Sequence, residues 1–397
     1  MKNIRGLARN RKLLLGHVAA ASLISVIFPQ YLLFWKSRGV EGFEASLVEG
    51  TFVIVAALAG VPMGMLADKF GRKKVMKLGS LLSFLGLSGY LLDLGFWGFV
   101  ASETLLGLAI SASGCSAQAL MVESVKQAGG SPDDELKATA QMRICCYATF
   151  VIGCFLGGYA ASVHELLPFL LSSLGSLSAF ILSFFLVETA SAESEKKARV
   201  GFKAMLALRH RLTAGDKMSR LLISSMMLAG LLNAGVIVFQ PHFQSIGLTT
   251  MNLGLMMAFS QVLLIAVTKK LTKLPNAASN GMLRSLAFSG VGSAHLSIAL
   301  IQAPVAALFS WFLVFTRAYV ETVLTVGISQ EAKDEERGTI LGLRSLLDNA
   351  ARFAVLLLVG WFADSYGAIN VFLVVGALSF LLGARVLIQD RQTREVK

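Results

Sequence analysis

The sequence predicts an all-α polytopic membrane protein, with twelve transmembrane helices in two pseudo-symmetric six-helix bundles. Three observations predict it. Of the 397 residues 55% are hydrophobic and 15% charged, where an ordinary soluble domain carries about 25% charged residues. Apolar stretches of about 18 to 25 residues, long enough to cross a bilayer as helices, follow one another along almost the whole chain. The Lys and Arg residues gather in alternate polar loops, the bias of cytoplasmic loops.

Taken in order, the spans 13–35, 45–67, 76–94, 96–122, 138–162 and 165–187 form the first bundle. The spans 219–243, 252–268, 282–302, 304–327, 338–362 and 369–388 form the second. The first apolar run is too long for the h-region of a cleaved signal peptide and reads as a retained span. The run beginning at Asn252 is the shortest. Many glycines and few prolines, 37 against 7, suit long helices that pack closely through small residues. The chain therefore divides into a bundle at 1–187, a cytoplasmic linker at 188–218 and a bundle at 219–397. In the linker Phe202, Met205, Leu206 and Leu212 share one helix face, with Lys203, Arg209 and Arg211 elsewhere. It reads either as an interfacial helix on the anionic inner leaflet or as a solvated linker.

Thirty of the 36 Lys and Arg lie in the N-terminus and every second loop, and the opposite loops carry only Lys36 and Arg38. That bias places both termini in the cytoplasm. It also accounts for the net charge of +12 without a nucleic-acid partner. Cys115, Cys145, Cys146 and Cys154 all fall in apolar segments and read as core thiols, not as a disulfide framework. Two weak repeats six helices apart relate the halves. Tyr31 to Val40 leaves span one much as Phe239 to Leu248 leaves span seven, and Asp134 to Thr139 enters span five as Asp334 to Thr339 enters span eleven.

Between spans two and three stands Gly64-Met65-Leu66-Ala67-Asp68-Lys69-Phe70-Gly71-Arg72-Lys73-Lys74. Gly64 permits close helix approach, Gly71 a tight turn, and Arg72, Lys73 and Lys74 hold the loop in the cytoplasm. Asp68, at the C-terminal end of its own helix, is repelled by that helix's dipole and needs a positive partner. This run resembles the signature loop of the major facilitator superfamily. The resemblance implies secondary transport by alternating access between two halves, with Gly64, Asp68, Gly71, Arg72 and Lys73 as a gating motif and the start of span eleven, near Gly338, as the partner of Asp68. Gly360, Asp364 and Gly367 repeat the spacing at the far end of span eleven without basic residues. In span five, Gly153-Cys154-Phe155-Leu156-Gly157-Gly158 looks like the Gly-Pro-x-x-Gly-Gly element of the superfamily's antiporters, with Cys154 where that element has Pro. The likeness implies export; helix packing explains the glycines equally.

Away from the span ends stand seven charged residues: Glu103, Arg143, Arg317, Glu321, Arg344, Asp348 and Arg352. At about 3 kcal/mol each, lipid exposure is unfavourable, so they should face inward and pair. Arg317 and Glu321 are four apart in span ten, and Arg344, Asp348 and Arg352 make one stripe on span eleven. A network between these helices either fixes them structurally or takes part in gating and proton coupling. Glu123 and Arg143 form a smaller counterpart in the first half. Glu103, Glu321 and Asp348 are the proton-coupling candidates, Glu103 foremost because it has no basic partner on its own helix. With Gly107, Ser111, Gly114 and Gln118 it forms one stripe of span four, either lining a polar cavity or packing a helix seam. Ser111, Gln118, Asn233 and Gln240 are the cavity candidates.

The reading is thus a monomeric secondary transporter of the bacterial inner membrane that exports a small molecule by alternating access, is coupled to protons and requires no cofactor or metal. The alternatives are an ion-coupled importer or facilitator of a metabolite and, behind these, a membrane-embedded enzyme or a non-transporting receptor. The absence of Gly-x4-Gly-Lys-[Ser/Thr], His-Glu-x-x-His and Gly-x-Ser-x-Gly argues against an ATP-driven pump or an embedded enzyme.

Overall fold

The computed structural model describes residues 2–189, 216–274, 277–333 and 336–395, so most of the 188–218 linker, including its expected interfacial face, lies outside the described residues. Span one is not the single helix its apolar run predicts. α1 (Lys2–Ser22) passes into a 3-10 turn (Leu23–Ile27) and resumes as α2 (Tyr31–Ser37). Pro29 sits at the break, where its missing N–H and its ring oppose a continuing helix. The two limbs meet at 44°.

The next helices are α3 (Gly42–Phe70), α4 (Arg72–Gly89), α5 (Gly95–Gln127), α6 (Pro132–Val163) and α7 (Leu167–Phe184). Local chemistry sets their ends. Gly71, at φ 102°, makes the turn between α3 and α4, a conformation that disfavours other residues. Before α6, Ser131 accepts from the Asp134 N–H, Asp134 reaches back to the Ser131 N–H, and Pro132 opens the helix. This is a complete capping box.

Span seven comprises α8 (Lys217–Asn233) and α9 (Val236–Ser245). α10 (Thr250–Leu271) extends beyond the short run at 252–268, and α11 (Gly281–Leu300) follows. Span ten is a composite of a 3-10 stretch (Pro304–Trp311), α12 (Phe312–Ala318), a π-helical segment (Tyr319–Leu324) and α13 (Thr325–Glu331). α14 (Arg337–Tyr366) and α15 (Ala368–Glu395) complete the described chain.

The protein is therefore an all-helical, polytopic membrane protein. Among the described residues ten helices are long and apolar enough to cross a bilayer, or eleven if the bent α1–α2 pair counts as one. α11 falls outside this number because Arg284 and His295 interrupt its apolar run. Exposed apolar side chains such as Leu58, Trp97 and Leu381 are those that hydrocarbon covers in a membrane.

Two compact units emerge. The first holds Met1–Phe34, Thr51–Arg199 and Thr250–Ala258, and the second Trp35–Gly50, Val200–Thr249 and Phe259–Lys397. The first packs Leu14, Met76, Leu120 and Met121 in its interior. Beside them Phe34, Tyr90, Phe99 and Phe169 form an aromatic cluster, with Tyr90 and Phe169 stacked at 4.8 Å between ring centres. In the second unit Phe239 stacks on Phe243 and Phe372, and the buried His295 joins the group.

Candidate functional site

The second unit buries a charged cluster at the π-helical segment. A π turn bonds each N–H one residue further back than an α turn and leaves a carbonyl available for another donor. At this segment the Val320 carbonyl accepts from Arg344 Nη2 of α14 at 2.9 Å, and Thr325 Oγ1 donates to the Glu321 carbonyl at 2.7 Å. Arg344 also donates from Nη1 to Thr325 Oγ1 at 2.5 Å and from Nε to Ser225 Oγ of α8 at 2.8 Å. Ser225 donates in turn to Asp348 Oδ2 at 3.0 Å, and Asp348 lies 3.3 Å from Arg344. One guanidinium thus ties three helices together. The cluster is not saturated. Asp348 is 7% exposed, yet its Oδ1 has no hydrogen-bond partner among the described residues, nor has Arg352 Nε one turn further on.

The stripe of Arg344, Asp348 and Arg352 is where the spacing places it, but its link to span ten runs through Thr325 and a backbone carbonyl. Arg317 and Glu321 instead pair with each other, 2.8 Å apart, with over two fifths of each side chain exposed. Ser225 and Thr325 were not legible as members. The only hint is that Thr325 falls four residues after Glu321; which serine of span seven would meet span eleven is a tertiary fact.

In the first unit Glu103 of α5 is 6% exposed and accepts a short hydrogen bond from Tyr90 Oη. Tyr90 is fully buried against Phe34, Phe99 and Phe169. The carboxylate therefore has a neutral donor inside an aromatic wall. Below it the stripe on α5 divides by depth. A Cβ on Gly107 would press on the Phe52 carbonyl and Val55 of α3, and Ser111 Oγ donates to the Ala56 carbonyl at 2.9 Å. This stretch is a packing seam, not a cavity wall. Further along, Gly114 and Gln118 open onto a shallow cleft of about 370 Å³ shared with Arg72 and Glu123. Of the other cavity candidates, Asn233 donates to the Ala229 carbonyl of its own helix at 3.0 Å, and Gln240 is 3% exposed.

The loop after α3 is held by more than its charge. Arg72 Nη2 lies 2.9 Å from Glu123 Oε1 and 3.9 Å from Asp68 Oδ1. Glu123 also accepts from Thr189 Oγ1 at 2.6 Å. Glu123 is thus joined to Arg72, not to the Arg143 that the sequence pairs it with; Arg143 is exposed. Lys73 donates from Nζ to the Phe184 and Leu186 carbonyls, at 3.0 and 2.5 Å, and its N–H bonds Glu188 Oε1 at 3.1 Å. A cation on the last carbonyls of a helix is favoured by the dipole, so the motif closes over the end of α7. Glu188 and Thr189, assigned to the linker by sequence, belong to this site. The close approach expected at Gly64 is not made among the described residues, where a Cβ would meet nothing within 4 Å.

At the opposite end of α14, Asp364 Oδ2 accepts from the Phe43 N–H at 2.8 Å. A Cβ on Gly42 would collide with the same carboxylate. Asp364 ends its own helix and satisfies a free N–H in the first turn of α3.

The glycines of α6 have a packing role. Cβ atoms on Gly153 and Gly157 would collide with Ser25 and the Val26 carbonyl, and Cys154 Sγ lies 3.8 Å from the Ser25 carbonyl. They admit the break of span one.

The sequence profile of the Major Facilitator Superfamily matches residues 13–330. Over 194 residues the chain is 25% identical to Multidrug resistance protein 1 of Bacillus subtilis (strain 168), covering 46% of this chain and 47% of that protein. Over 184 residues it is 23% identical to Quinolone resistance protein NorA of Staphylococcus aureus, covering 46% and 45%. The match thus spans about half the length of these relatives. Among solved structures, a variant of the nucleoside transporter NupG superposes with a TM-score of 0.79 at 14% identity, covering 95% of this chain and 98% of that one. An auto-inhibited POT family peptide transporter superposes with a TM-score of 0.73 at 14% identity, covering 96% and 97%. At these identities the likeness is one of fold.

Proposed function

The chain belongs to the Major Facilitator Superfamily of secondary transporters, and from that premise we propose that it exports a small molecule in exchange for protons across a bacterial plasma membrane. The observation that carries the coupling is Glu103, a carboxylate buried in an aromatic wall with a tyrosine hydroxyl as donor. Such a group inside the membrane suits the loading and release of a proton. Asp348, with Arg344 on one oxygen and no partner for the other among the described residues, is the second candidate, in the second unit. The half-length similarity to two drug-resistance proteins supports export and an amphipathic substrate.

Counting α11 as a span beside the ten long helices and the bent pair gives twelve, six before and six after the 188–218 stretch. The halves 1–187 and 219–397 then alternate access to a midplane site, with both termini cytoplasmic. Asp68, Arg72 and Lys73 form the inner gate, and Asp364 at the first turn of α3 forms an outer one.

The experiment is flux in proteoliposomes, with gradient-driven transport and substrate exchange measured side by side. Glu103→Gln should leave exchange intact and abolish accumulation driven by a proton gradient. Full gradient-driven accumulation by that variant would remove Glu103 as the coupling group and shift the role to Asp348. Substrate moving inward with protons would replace export by import.

A further inference from the structure

At one end of the second unit the first turns of α8, the first turns of α11 and the last turns of α15 enclose a cavity of about 510 Å³. Four cations line it, Lys217, Arg220, Arg284 and Arg385, against one carboxylate, Asp390. Lys217 is engaged by Glu331 at 2.5 Å. Arg284 differs: it is 8% exposed, and its Nε has no hydrogen-bond partner among the described residues. A buried guanidinium with an unused donor is costly unless an acceptor oxygen reaches it. The α11 N-terminus is already met there, by Asn280, which accepts from two of its N–H groups, and by the Asp390 carboxylate beside Gly281.

The cavity is also amphipathic. Met227, Phe288 and Leu382 line its apolar part. On the same turns of α11 and α15, Met282, Leu286, Leu387 and Ile388 are exposed, which places this level of both helices against hydrocarbon rather than water. A positively charged recess beside an apolar wall, at the ends of membrane helices, matches a phosphate head joined to acyl chains.

We infer that this cavity binds the headgroup of an anionic phospholipid, with Arg284 and Arg385 on the phosphate oxygens and Phe288 and Leu382 against the first acyl carbons. The ligand is a structural or regulatory lipid, separate from the transported solute. The inference requires only that the chain spans a membrane, so it stands or falls apart from the direction and coupling of transport.

The test uses the full chain, purified in detergent and stripped of lipid, with retained lipid read by native mass spectrometry and stability by thermal melting. The probes are phosphatidylcholine, phosphatidylglycerol, glycerol 3-phosphate and inorganic phosphate. Phosphatidylglycerol should be retained in preference to phosphatidylcholine and should raise the melting temperature. Arg385→Gln, at an exposed position, should weaken its retention about fivefold, the effect of one surface cation. Arg284→Gln should weaken it further, and Lys137→Gln, outside the cavity, should leave it unchanged. If Arg284→Gln fails to fold, Arg385→Gln alone decides. Equal retention of the two lipids, or retention unaffected by Arg385→Gln, overturns the inference. Protection by inorganic phosphate or glycerol 3-phosphate equal to that by phosphatidylglycerol overturns the lipid assignment in favour of a soluble anion.

Discussion

Asp348 and Glu321 each stand four residues from an arginine, yet substituting them should have unequal effects because their surroundings differ. Asp348 is 7% exposed and shares Ser225 with Arg344, whereas the Glu321 side chain is 43% exposed and pairs with Arg317. Removing one partner of a buried ion pair leaves the other charge uncompensated, at a cost of about 3–5 kcal/mol. An exposed pair contributes about 1 kcal/mol or less. Asp348→Ala should therefore lower the unfolding free energy by the larger amount and Glu321→Ala by the smaller, as read from denaturant melts in detergent. Equal, small losses would mean that Asp348 is solvated and Arg344 needs no counter-charge. At this scale the sequence was informative about charge and spacing within a helix. It was silent about Ser225, Thr325 and Tyr90, because a neutral hydroxyl carries no periodic signal and its partner lies on another helix.

Helix ends and glycines govern the next scale. In α6, a side chain at position 157 must displace the Val26 backbone, since even a Cβ collides with its carbonyl. Overpacking of this kind costs about 1–3 kcal/mol, so Gly157→Leu should lower the melting temperature, and Gly114→Leu, where a Cβ meets nothing within 4 Å, should not. A similar drop in both would remove the contact with the break of span one as the reason for the glycine. The glycine run was legible as close packing, but its partner was not, because Pro29 and the short α2 turn span one away from a straight path. The Asp364 contact follows a rule the sequence did supply: a carboxylate ending its own helix needs another helix's N-terminus. The same rule predicts a partner for Asp68, and the structure displays such a contact at Asp364, where the spacing Gly360, Asp364, Gly367 repeats. Loss of such a cap costs about 0.5–2 kcal/mol. Asp364→Ala should therefore raise labelling of a cysteine at position 43 several-fold, with protein yield unchanged; unchanged labelling would make the contact incidental to gating.

For the whole molecule, hydropathy and charge bias carried the architecture because every backbone polar group in a bilayer must be satisfied within its own helix. Composition alone therefore marked the spans. The apolar runs predict twelve spans, whereas ten or eleven of the described helices are long and apolar enough to cross, since α11 carries Arg284 and His295. For orientation, the asymmetry of thirty basic residues against two gives a definite expected sign. Reversing the chain would carry those thirty charges across the membrane, which the charge bias opposes at every short loop. Lys73 is a poor reporter because its ammonium caps the end of α7; the neighbouring Lys74 is exposed, as is His164 in the loop between α6 and α7. In a background with the four native cysteines replaced by serine, a cysteine at position 164 should react with a membrane-impermeant maleimide on intact cells. A cysteine at position 74 should react only after the membrane is permeabilised. Labelling of position 74 on intact cells would invert the topology and, with it, the assignment of Asp68 to the inner gate and Asp364 to the outer one.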